Sequence, residues 1–68
     1  MSKNLGYIKL NDDKALLDIV AEQTDIDPNC FDTSAAWAEA EQSMDELGQD
    51  GTELRIDGLN YVMIERGE

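Results

Sequence analysis

Polar and apolar residues alternate over Gly6-Tyr7-Ile8-Lys9-Leu10, the period of a strand with one buried face. Ile8 and Leu10 share one side of it, Tyr7 and Lys9 the other. After Asn11 the period lengthens. Leu16, Leu17 and Val20, with Ala21 at the edge, form the apolar stripe of a helix running to about Gln23. Asn11 is the expected N-cap, and Asp12 and Asp13 suit the positive end of the helix dipole. Thr24 to Asp32 then reads as a connector in which Pro28 stops any helix and Ile26 and Phe31 turn into the core.

A second helix is expected from a cap at Asp32, Thr33 or Ser34 to Leu47, with Gly48 at the left-handed position that ends a helix. Trp37, Ala40, Met44 and Leu47 mark its apolar side. Glu39 and Glu46 flank that side in one direction, Glu41 and Asp45 in the other. From Thr52 to Glu65 two alternating runs surround Asp57-Gly58, a pair favoured in two-residue hairpin turns. That turn pairs Ile56 with Leu59, Leu54 with Tyr61 and Thr52 with Met63, which places five large residues on one face. The opposite face then holds Glu53, Arg55, Asn60, Val62 and Ile64. The expected architecture is α+β, β-α-α-β-β: a three-stranded sheet with both helices on one face, in a single domain spanning 1–68.

Charge changes this picture most. Sixteen Asp and Glu face five Lys and Arg in 68 residues, giving a formal net charge of −11. The acids are spread through segments that otherwise read as a compact fold and do not form a tail. Between Asn11 and Gly51 twelve carboxylates are set against Lys14 alone. Such a surface repels itself, and a basic partner would relieve it. Asp18, Glu22, Glu39, Glu41, Asp45 and Glu46 are the candidate contact residues, because the apolar stripes claim the other sides of both helices. Asp18 and Glu22 are spaced four apart, as are Glu41 and Asp45, so each pair of like charges shares a helix face.

Several other chemistries find little support. The chain contains no His, the commonest general base and metal ligand. Asp25-Ile26-Asp27-Pro28-Asn29 resembles the opening of a calcium loop, but Cys30 stands where Gly is needed and Ala36 where a bidentate Glu belongs. No metal or cofactor is therefore expected. Cys30, the single cysteine, lies among aspartates that disfavour its thiolate, and it reads as a small buried side chain. No carboxylate pair sits in an evident pocket, so an enzyme is not expected. Trp37 is read as a core anchor. Direct binding to nucleic acid would need a cationic groove, which is missing. No apolar run is long enough to cross a membrane. The start, Met1-Ser2-Lys3-Asn4, leads into a strand and not into an apolar signal region, so a cytoplasmic location is expected.

In size and charge the whole chain, and above all its acidic helices from Asp12 to Glu46, resembles the small phage-encoded inhibitors that mimic DNA, of the anti-CRISPR and anti-restriction type. That resemblance implies a non-enzymatic protein, in the cytoplasm of a bacterial host, that occupies the nucleic-acid-binding site of a host nucleic-acid-processing complex through its basic surface. The alternative is a small structural or assembly protein that docks, or forms a homodimer, through the outer sheet face around Tyr7, Val62 and Ile64.

Overall fold

In a computed structural model describing residues 2–67, the chain forms β1 (Lys3–Lys9), α1 (Asp13–Gln23), a short 3-10 turn (Pro28–Cys30), α2 (Thr33–Leu47), β2 (Gly51–Asp57) and β3 (Asn60–Glu65). This is the α+β order expected. The strands make one mixed sheet in the order β1-β3-β2, with β3 antiparallel to β2 and parallel to β1. The last strand therefore sits in the middle. Both helices cover the same face, α1 against β1 and α2 against β2.

Local chemistry fixes the helix ends. Asp12, not Asn11, caps α1: its Oδ1 accepts from the Ala15 N–H at 3.2 Å. Asn11 instead takes φ 70°, a left-handed turn residue that reverses the chain between β1 and α1. Asp32 caps α2 through the Ala35 N–H at 3.1 Å. Gly48 ends α2 at φ 66°, and its N–H and that of Gln49 both reach the Met44 carbonyl.

The core consists of Leu5 and Ile8 from β1, Leu16 and Val20 from α1, Ala36, Trp37, Ala40 and Met44 from α2, and Leu54, Val62 and Ile64 from the hairpin. Ile26 and Phe31 pack against it as expected. The stripe of α1 is rotated from the expected one. Ile19 and Ala15 pack on the core, Leu17 is only half-buried, and Ala21 is exposed. Gly6 is the reason. It interrupts the pairing of β1 with β3 at φ 151°, and a Cβ there would lie 3.4 Å from Ile19 Cδ1. The missing side chain leaves room for Ile19 over β1. Leu47, expected on the apolar side of α2, is 62% exposed in the last turn.

The hairpin register differs from the expected one by one residue. Leu54 pairs with Val62, Thr52 with Ile64, Glu53 with Met63 and Arg55 with Tyr61. An irregularity between Arg55 and Asp57 absorbs the shift, and the turn residues become Gly58 and Leu59. Val62 and Ile64, expected outside, are fully buried, while Tyr61 and Met63 face outward and Leu59 is 56% exposed. Two effects favour this register. It buries β-branched aliphatic side chains with no polar atom, whereas the expected one would bury the Tyr61 hydroxyl, which then needs a partner. The extra residue, Ile56, still reaches the core. The turn is closed by Asn60 Nδ2 donating to Asp57 Oδ1 at 2.8 Å and Arg55 Nη1 donating to the Gly58 carbonyl at 2.7 Å.

Candidate acidic binding surface

The acidic residues divide by the work they do. Asp12 and Asp32 cap helices. Asp13 accepts the indole N–H of the buried Trp37. Asp27 accepts from the Asn29 N–H at 2.9 Å, a local turn that accounts for its place in the calcium-like segment. Asp57 joins the hairpin turn, and Glu65 pairs with Lys9 at 3.1 Å. Among the described residues, Asp18, Glu22, Asp25, Glu39, Glu41, Glu46 and Glu53 have no side-chain hydrogen bond or ion pair.

All six candidate residues are exposed, and five of them belong to this uncommitted set. The exception is Asp45, whose Oδ1 accepts from Arg66 Nη2 at 3.1 Å; Arg66 also approaches Asp50 at 4.0 Å. The arginine rises from the end of β3 and neutralises part of one flank of α2. Sequence reading missed it, since Asp45 and Arg66 lie 21 positions apart and share no local signal.

The six do not form one patch. Glu41, Asp45 and Glu46 line a shallow, open depression of about 620 Å³ that also reaches Gln42, Trp37 and Asn11. Glu46 thus joins Glu41 and Asp45, not Glu39 as its spacing suggested. Glu39 lies across α2, in a second depression with Phe31 and Arg55. Asp18 and Glu22 are placed on α1, opposite its buried Leu16 and Val20.

By chain segment the charges are unequally shared. The segment from Asn11 to Gly51, which holds both helices, contains twelve carboxylates and Lys14, so it accounts for the whole net charge of −11. The rest of the chain has four cations, Lys3, Lys9, Arg55 and Arg66, and four acids, Glu53, Asp57, Glu65 and Glu68. The helical segment is thus strongly anionic in sequence and the rest of the chain balanced, while Arg66 lies against Asp45 and Asp50 of the helical segment.

Cys30 is exposed, contrary to expectation. It closes the 3-10 turn on the surface with its Sγ 3.8 Å from Asp27 Oδ2. No helix among the described residues is long and apolar enough to cross a membrane. No group of three His, Cys, Asp or Glu among them is arranged to hold a metal ion. Comparison with protein-family models, with curated proteins and with solved structures gave no match.

Proposed function

We propose that the protein is a non-enzymatic inhibitor whose anionic helical layer occupies a nucleic-acid-binding site on a basic host protein. The observation that carries this reading is the concentration of uncommitted, exposed carboxylates on the helices. Sites for nucleic acid present Lys and Arg to phosphates and owe much of their affinity to released counterions. Carboxylates held on two short helices offer such a site a fixed anionic surface. Complementary potential also speeds encounter and makes it salt-dependent.

Glu41 and Glu46 are the residues to reverse, because both lie in one depression and neither has a structural partner among the described residues. Asp45 is less suitable, since Lys there would face Arg66. Bacterial DNA-binding proteins would be loaded on immobilised labelled DNA and challenged with the purified protein over a sodium chloride series. The expected result is release of a defined component at low salt, lost in Glu41→Lys with Glu46→Lys. Release of nothing, or equal release by the double variant, would overturn the proposal.

A further inference from the structure

We infer that the run ending in β3 is a self-associating segment, able to stack on copies of itself in a cross-β array, and that its central place in the sheet holds it back. Gly58-Leu59-Asn60-Tyr61-Val62-Met63-Ile64 contains no charged residue and no Pro. Leu59, Tyr61, Val62, Met63 and Ile64 make it rich in aliphatic and aromatic side chains. Short runs of high β-propensity without charge or Pro are those that stack in this way. Asp57 precedes the run and Glu65-Arg66 follows it, charges placed as guards at both ends. The other uncharged run of comparable length, Thr33 to Ala38, lies in α2 and is half Ala.

The strand order separates this run from other chains. β1 carries Lys3 and Lys9 and breaks its pairing with β3 between Asn4 and Tyr7. β2 carries Glu53, Arg55 and Asp57 and has its own irregularity between Arg55 and Asp57. Charges and irregular pairing blunt an exposed edge against joining another sheet. Both edge strands therefore have these devices. β3 has one charge, at its last residue Glu65, and sits where both of its edges are already paired. Its two faces also suit stacking. Val62 and Ile64, fully buried in the fold, form a dry β-branched face, and Tyr61 and Met63 form the other.

The acids are a second restraint. Strands in such an array repeat about every 4.7 Å, so each added copy brings a net charge of −11 against the last. Salt therefore acts in two directions. It screens repulsion within the folded monomer, and it permits stacking once the fold has opened. The inference does not rest on the reading of the helical layer.

The full chain, agitated at its melting midpoint over a sodium chloride series and followed by thioflavin T fluorescence, tests the inference. Fibres with a repeat of about 4.7 Å should form, with a lag that shortens several-fold as salt rises. Limited proteolysis and mass spectrometry should place residues 58–64 in the protected core. Met63→Lys puts a cation inside the run, on the outer face opposite Glu53, and should abolish the fibres. It does so although it reduces the net charge. Leu47→Lys makes the same change of charge at an exposed position of α2 and should leave fibre formation intact. Each variant is held at its own midpoint, so that equal fractions are unfolded. A wild-type protein that stays clear or gives only amorphous precipitate overturns the inference, as does a protected core that omits β3. Fibres that persist in Met63→Lys, or are lost equally in Leu47→Lys, overturn it too. The core mapped in the wild-type protein decides the matter even if a variant fails to fold.

Discussion

Replacing Ile64 by Ala distinguishes the observed hairpin register from the one a simple Asp57-Gly58 turn would set. Ile64 is 0% exposed in the central strand, between β1 and β2 and beneath both helices. The change removes three carbon groups. At about 0.8 kcal/mol for each, the lost transfer energy is about 2.4 kcal/mol. The cavity left behind raises the cost to about 3–4 kcal/mol, depending on how far the core relaxes. A domain of this length has roughly 3–10 kcal/mol in total, so the variant should lose from about a third to all of its stability. Ile64→Val, expected to cost about 1 kcal/mol, keeps the experiment quantitative. Met63→Ala provides the contrast, because Met63 lies on the outer face; its cost should stay below about 1 kcal/mol. Urea unfolding followed by the fluorescence of the buried Trp37 reports all three, at a protein concentration low enough to hold the monomer. A larger loss for Met63→Ala than for Ile64→Ala would refute the register.

Further outcomes follow from the charge distribution and the backbone. The melting midpoint should rise with sodium chloride, because salt screens the repulsion among the helical carboxylates; a flat or falling midpoint would contradict a repulsive surface. Gly6→Val should cost more than about 1 kcal/mol in urea unfolding, since a β-branched residue resists φ 151° and its side chain would crowd Ile19. Arg66→Ala should cost less than about 1 kcal/mol by the same measurement, as its ion pairs with Asp45 and Asp50 are exposed and screened.

The features legible in the sequence are those set by near neighbours. Asp32 and Gly48 bound α2 through contacts three or four residues away, so capping chemistry located them. The alternation over Thr52 to Glu65 identified two strands for the same reason. The register was not legible, because it depends on which face the helices and β1 cover, and on an extra residue at Ile56 that the turn dipeptide does not announce. The β-branched pair Val62 and Ile64, set against the hydroxyl of Tyr61, was the signal available for the correct face. Ile19 was missed likewise, since its place depends on the gap left by Gly6 in another element. Exposure of the six acids followed from the apolar stripes. Their grouping followed only in part: Glu39 and Glu41 fall on opposite flanks as their spacing indicates, but Glu46 lies with Glu41, and Asp45 is engaged by an arginine just beyond the distant β3.

The central position of β3 governs how the chain can fold as it is synthesised. Both of its neighbours are made first, and β1 must wait for a partner more than fifty positions away, with Lys3 opposite Asn60 and Lys9 opposite Glu65. Closing so long a loop before any reward slows folding relative to a bundle of local helices. Until β3 emerges, the apolar stripes of both helices have no complete sheet to cover. A nascent chain that ends at Gly51 already contains twelve carboxylates against Lys3, Lys9 and Lys14, a net charge of −9. Net charge of that size keeps chains apart in solution. The same acids that mark the finished surface thus hold unfinished copies away from one another while they wait for their central strand.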